Sequence, residues 1–201
     1  MGETIRTIQF WRGRLPHWEV VDGRYFVTMR LANCLPRQAA ERLRALAVDG
    51  PDDAGRYLEW SRRYFAVQEQ LLHRQPADAL LGRPEVAEKV LAAARYYDEA
   101  GKWRLSALTI LPNHIHLFVM AGAAGMTKVM RDFKHATARA VKPFAGDGAA
   151  KHAFWQQEWF DHWSRSALED DKIRLYIRDN AVKAGLVRSW RDWPWLWLRE
   201  E

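Results

Sequence analysis

Apolar and polar positions change their period several times along the chain, and each change marks an element. After the turn at Asp22-Gly23, the run Arg24-Tyr-Phe-Val-Thr-Met-Arg-Leu31 is rich in aromatic and β-branched residues and predicts a first strand. Beyond Leu35-Pro36 the spacing turns helical through Ala39, Leu43 and Leu46, and it stops near Asp49-Gly50-Pro51. Residues 53–74 continue with aromatic and apolar helical spacing, closed by Gln75-Pro76. Pro84 opens a clearer helix through Val86, Val90, Leu91, Ala94 and Tyr97, ended by Gly101. Trp103–Ile110 then predicts a second strand, and after a short Leu-Pro-Asn turn the run His114–Met120 predicts a third, so the two form a hairpin.

The second half repeats the alternation of types. A helix is predicted over residues 126–142, with Met126, Val129, Met130, Phe133, Thr137, Ala140 and Val141 on its apolar positions. Its other side carries Lys128, Arg131, Lys134, Arg139 and Lys142 against a single acid, Asp132. Such a lopsided face suits phosphate contact as well as it suits solvent. Residues 143–153, with Pro143, Gly146 and Gly148, read as a loop, and Trp159–Arg165 alternates like a fourth strand. The last helix is sharply punctuated, with a capping box at Ser166 and Glu169, acids at Asp170 and Asp171, and a stop at Gly185. The order is strand, helices, strand, strand, helix, strand, with a helix after it.

Two positions on this framework carry chemistry. Side chains two apart on a strand share a face, so His114 and His116 stand side by side while Ile115, Leu117 and Val119 face the other way. Adjacent imidazoles supply two ligands to one divalent metal if a third group arrives from elsewhere; without it they are two satisfied histidines on a strand. On the last helix Ile173, Ile177, Ala181 and Ala184 form the packing face. Tyr176 and Asn180 lie one turn apart beside it, so a phenol and an amide point at one place.

Composition limits the partners. The single cysteine, Cys34, excludes an internal disulfide and a cysteine metal cluster, and no apolar run is long enough to span a membrane. Both point to a reducing cytosol. A net charge of +6 suits polyanionic partners, or simply a solvated positive surface. Seven of the eleven tryptophans follow residue 150, a concentration that belongs to core and closure more often than to base stacking. No phosphate-cradling glycine loop, Gly-x-Ser-x-Gly or deaminase Cys-x-x-Cys is present.

Three segments taken in order resemble a known family: Leu111-Pro-Asn-His-Ile-His-Leu117, Phe154-Trp-Gln-Gln-Glu-Trp-Phe-Asp-His162 and Tyr176-Ile-Arg-Asp-Asn-Ala-Val-Lys-Ala-Gly-Leu-Val187. Together with Leu15-Pro-His-Trp18 and Tyr25–Leu31, which resemble the opening strand of the same family, they are similar to the REP-associated tyrosine transposases, relatives of the single-tyrosine transposases of bacterial insertion sequences. The resemblance covers roughly residues 15–195. It implies an α+β fold, a ferredoxin-like antiparallel sheet (βαββαβ) with a C-terminal catalytic helix and extra helices. It also implies that His114, His116 and Asn180 hold Mg²⁺ or Mn²⁺ over a scissile phosphate, and that Tyr176 attacks that phosphate and becomes joined to the DNA 5′ end. The family usually has Asn-Pro where this chain has Asn180-Ala181, which changes helix stiffness and removes no ligand.

The expectation is therefore one domain over residues 1–201, with a helical insertion about 36–100 and a Trp-rich C-terminal extension about 188–201. Its partners would be single-stranded or hairpin DNA of the REP-like palindrome type, held in part by Lys128, Arg131, Lys134 and Arg139, with no membrane. It would act as a monomer or homodimer in a bacterial cytoplasm, at the nucleoid. A non-cleaving, domesticated DNA-binding relative of the same fold is the alternative. An RNA-binding ferredoxin-like module would instead expose aromatics on the sheet face, where this chain has His114 and His116.

Overall fold

The computed structural model describes residues 6–53, 55–74, 80–144 and 153–200. Its centre is a five-stranded antiparallel sheet built from β3 (Arg24–Arg30), β4 (Trp103–Ile110), β5 (His114–Ala121), β6 (Phe160–Ser164) and β7 (Leu196–Leu198). The spatial order is β6-β3-β5-β4-β7. With α3 (Pro84–Glu99) between β3 and β4, and α4 (Met126–Val141) between β5 and β6, the first four of these strands have the ferredoxin-like connection expected from the sequence. The fourth strand falls at Phe160–Ser164, inside the predicted span. The loop predicted at 143–153 begins with a single 3-10 turn, Lys142–Phe144, and residues 145–152 lie outside the described residues.

Both faces of the sheet are covered, since β5 is buried from His114 to Val119 despite the alternation of its side chains. On one side α3 and α4 pack against each other and against β4 and β5. On the other lie α2 (Tyr57–Leu72) and α5 (Ala167–Lys183), which bring Phe65 and Tyr176 against Phe26 and His116. The helical insertion is thus two structures: α3 is part of the basic fold, whereas α1 (Arg37–Val48) and α2 are added to the histidine side of the sheet. Ser166 caps α5 as predicted, its hydroxyl accepting from the Glu169 amide at 3.2 Å.

A separate hairpin, β1 (Thr7–Arg12) with β2 (Pro16–Val20), precedes the sheet. Leu15–Trp18, expected with the opening strand, belongs instead to this hairpin, which is docked by buried polar groups. Glu19 accepts the Met126 amide at 2.6 Å and so caps α4, whose own N-cap, Gly125, has no side chain to do it. His17 stacks on Trp11 at 4.2 Å, and its Nδ1 donates to Asp161 on β6 at 2.5 Å. Glu158 accepts from the backbone amides of Arg14 and Leu15.

Burial alone would strip the proton from His17, but Asp161 and Glu158 outweigh it and lift its pKa to about 9. A raised folded-state pKa stabilises the fold below the unfolded value near 6.5, and that stability is lost as pH rises through about 9. Urea unfolding should therefore show the wild type losing up to about 3 kcal/mol between pH 6.5 and 9.5 relative to His17→Gln. Parallel pH profiles for the two proteins would contradict a charged His17.

Candidate active site

Three elements converge on the histidine face. Strand β5 presents His114 and His116, which are 1% and 0% exposed, with their Nε2 atoms 3.1 Å apart. Each ring is oriented from behind. His114 Nδ1 donates to Asn113 Oδ1 at 2.5 Å, and Asn113 is itself fixed by its amide bond to the Leu72 carbonyl at 2.9 Å. His116 Nδ1 lies 3.0 Å from Thr28 Oγ1, the register partner of His116 on β3. A donating Nδ1 leaves the Nε2 lone pair of His114 facing inward, the arrangement that metal-binding histidines use.

Helix α2 supplies what the sequence reading missed. Glu69 points its Oε1 at the two imidazoles, 3.3 Å from His116 Nε2 and 3.7 Å from His114 Nε2. Its other oxygen, Oε2, accepts from the Tyr176 hydroxyl, from Asn180 Nδ2 at 3.3 Å, and sits 3.3 Å from His73 Nε2. Oε1 is buried and has no hydrogen-bond partner among the described residues. A buried carboxylate oxygen left unsatisfied costs about 1–3 kcal/mol, so its place beside two imidazole nitrogens calls for a ligand. The donor set fits a divalent cation: right-angled ligands on an octahedral ion with bonds of about 2.1 Å stand about 3 Å apart, matching the 3.1 Å between the two nitrogens.

The charges are ordered accordingly. Burial opposes ionisation of Glu69, yet the neighbouring imidazoles and the Tyr176 hydroxyl hold it ionised, well below the usual carboxylate range. Burial and the proximity of His116 push His114 down to about 3, so it is neutral and able to coordinate. Burial, and then the Glu69 carboxylate, push the Tyr176 phenol far above its ordinary value. The Tyr176 ring is held edge-on by Phe26 at 5.7 Å, Phe65 at 5.4 Å and His116 at 5.6 Å. A mostly apolar hollow of about 220 Å³ opens beside it, between Phe160 and Ile173.

The residues singled out from sequence therefore meet, with one displacement. Asn180 is fully buried beside Tyr176, as its helical spacing required, but its amide touches Glu69 and His73 and has no bond to His114 or His116. One signal for Glu69 was present: it follows Phe65 by one turn and precedes Leu72, so it is an acid on the inward stripe of α2. Acids there are rare unless paired. The basic helix is less uniform than its sequence. Lys128, Arg131 and Arg139 are exposed, Lys128 paired with Asp132 at 2.6 Å. Lys134 instead turns back to the Gln156 carbonyl at 2.7 Å and over the Trp159 ring, tying α4 to the segment that enters β6.

The family model described as IS200-like transposase matches residues 79–180, about half of the chain. No curated protein matches the sequence. Among solved structures, that of a REP-associated tyrosine transposase bound to a REP hairpin is similar, with a TM-score of 0.52 at 15% identity, covering 94% of this chain and 82% of that one.

Proposed function

The chain belongs to the IS200-like transposases, and from that premise we propose that it cuts and rejoins single-stranded or hairpin DNA through a covalent Tyr176 intermediate, with a divalent cation bound by its histidine pair. What carries the reading is one carboxylate. Glu69 contacts both imidazoles through Oε1 and the Tyr176 hydroxyl through Oε2, so nucleophile and ligand set share a single bridging group.

His114, His116 and Glu69 would hold the cation, with the Asn180 amide against the far side of Glu69. The histidine donors favour Mn²⁺ over Mg²⁺, and the ion when bound would supply positive charge to offset the negative charge developing on the phosphate. The remaining work falls to the chain. Phe26, Phe65 and His116 fix the phenol ring, and Glu69 orients its hydroxyl by accepting its hydrogen bond. The Tyr176 hydroxyl loses its proton to hydroxide from solvent, its oxygen attacks phosphorus, the bond from phosphorus to the 3′ oxygen breaks, and that oxygen takes up a proton from water. The 5′ phosphate is left on the tyrosine. Attack by a 3′ hydroxyl reverses these steps without an energy source, because one phosphodiester replaces another.

The hairpin carried by the solved relative supports a REP-like palindrome as substrate, and the exposed Arg131 and Arg139 of α4, unpaired among the described residues, support phosphate contact away from the cut. Incubation with labelled hairpin DNA and Mn²⁺ should leave label on the denatured protein, and should leave none when EDTA is present. Binding without any adduct would favour the non-cleaving alternative.

A further inference from the structure

Tyr176 has a neighbour that the steps above do not use. Lys183 stands two turns further along α5, and its ammonium Nζ lies over the phenol ring, 4.5 Å from the ring centre. A lysine at this place has two ordinary duties. In the last turn of a helix it faces the negative end of the dipole, and one turn after an acid it forms an ion pair. The acid is present, since Asp179 precedes Lys183 by one turn. Asp179 is already occupied: Arg178 donates to it twice, from Nε at 2.8 Å and from Nη2 at 3.0 Å. Lys183 has no hydrogen bond or salt bridge among the described residues, and its side chain is exposed. Its charge is left beside the phenol without a carboxylate to hold it.

The surroundings of Tyr176 therefore carry opposite charges. Buried Glu69 accepts the hydroxyl, whereas the exposed ammonium covers the ring. Arg62 and Lys172 line the hollow beside the ring, but the cation over the ring is Lys183. A cation over a ring at an exposed site is held weakly, so the ammonium can leave it for a stronger acceptor. A phosphate that receives the phenol oxygen is such an acceptor, because its non-bridging oxygens gather charge in the transition state. The metal-ligating groups all lie on the Glu69 side, so the other side of that phosphate is left to the chain. The flexible stem of Lys183 brings a positive charge there.

We infer that Lys183 is a further catalytic residue, its ammonium binding a non-bridging oxygen of the scissile phosphate and offsetting the charge that gathers there as the Tyr176 oxygen attacks. Lys183 stays protonated throughout and exchanges no proton with the phenol or with the leaving 3′ oxygen. The inference rests on the DNA-cleaving reading above and adds to it a residue outside the ligand set.

The test follows adduct formation in single turnovers by the full chain, at saturating Mn²⁺ and hairpin DNA. Lys183→Gln, an exposed change that leaves the core untouched, should slow the adduct about 10²-fold. The half-saturating DNA concentration should move by no more than about threefold, because the contact is made mostly in the transition state. Mn²⁺ affinity, read from the paramagnetic resonance of the free ion, should be unaltered. Lys183→Met keeps an unbranched stem over the ring without the charge and should be as slow, whereas Lys183→Arg should regain at least about tenfold. A lysine that only packs on the ring requires a Met variant close to wild type, and that result would overturn the role. So would an Arg variant no faster than Gln. Sulfur in place of each non-bridging oxygen of the scissile phosphate, one diastereomer at a time, locates the contact. For one diastereomer the cost of sulfur should be at least about threefold smaller in Lys183→Gln than in wild type, since the partner of that oxygen is already gone. Equal costs in both proteins for both diastereomers would overturn the contact. Normal adduct formation by all three variants sinks Lys183 alone, and a wild type that forms no adduct sinks the parent reading with it.

Discussion

Tyr176→Phe should give a folded protein that binds hairpin DNA nearly as well as wild type and forms no covalent adduct. The change deletes one oxygen. The ring keeps its edge contacts with Phe26, Phe65 and His116, and Glu69 Oε2 keeps Asn180 and His73 within 3.3 Å, so stability should change by about 1 kcal/mol at most. Cleavage should fall by at least about 10⁴-fold, the scale on which removal of an enzyme's nucleophile is felt. No other tyrosine has this setting: Tyr25 is bonded to the Val20 backbone, Tyr57 to Asp161, and Tyr64 is stacked between Trp60 and Phe160. Peptide mapping of the wild-type adduct by mass spectrometry decides the matter, and a phosphopeptide from any other residue would sink the mechanism.

The second large effect concerns the ligands. His114→Ala with His116→Ala should abolish Mn²⁺ binding and reduce cleavage by about 10³-fold or more, with hairpin affinity preserved. Glu69→Gln keeps the shape and removes the charge, so half-maximal activity should need about 10- to 100-fold more Mn²⁺. It carries a second, opposite signature. Burial and the Glu69 carboxylate both raise the Tyr176 phenol, so cleavage by wild type should increase with pH. Without the carboxylate only burial remains, and at saturating Mn²⁺ the increase should begin at lower pH. Electron paramagnetic resonance of free Mn²⁺ gives the affinity, and initial rates across pH give the profile. Unaltered Mn²⁺ binding in Glu69→Gln would remove this carboxylate from the site.

Much of this arrangement was readable along the chain, and the reasons for the gaps are specific. The alternation around His114 and His116 required a strand with both imidazoles on one face, and Ser166, Glu169 and Gly185 fixed the phase of α5 closely enough to put Tyr176 and Asn180 together. Glu69 was hidden because its partners come from β5 and α5, distant in sequence, and nothing local says which helix will be laid over the histidines. Lys134 looked like its neighbours on the basic face; only the fold brings the Gln156 carbonyl within its reach. The Leu15–Trp18 segment read as part of the opening strand because its aromatic pattern is equally that of a hairpin docked on the same core. The Trp-rich tail gave composition but no period, and a strand as short as Leu196–Leu198 leaves none to detect.

That tail has a bearing on how copies of the protein can meet. Leu196–Leu198 pairs with Ala107–Thr109, the Ile110 amide donates to the Trp195 carbonyl at 3.0 Å, and Arg199 donates from its side chain to the Leu105 carbonyl at 2.7 Å. Arg174 of the tyrosine helix bonds the Ser106 and Arg199 carbonyls and locks the strap in place. An open strand margin is a template onto which a foreign strand can zip, and here Leu196–Leu198 occupies part of it. Two molecules cannot fuse their sheets through β4 while this stopper is seated. The margin left on this side is the three-residue outer edge of Leu196–Leu198, and proteolytic loss of the strap would uncover the longer border of β4.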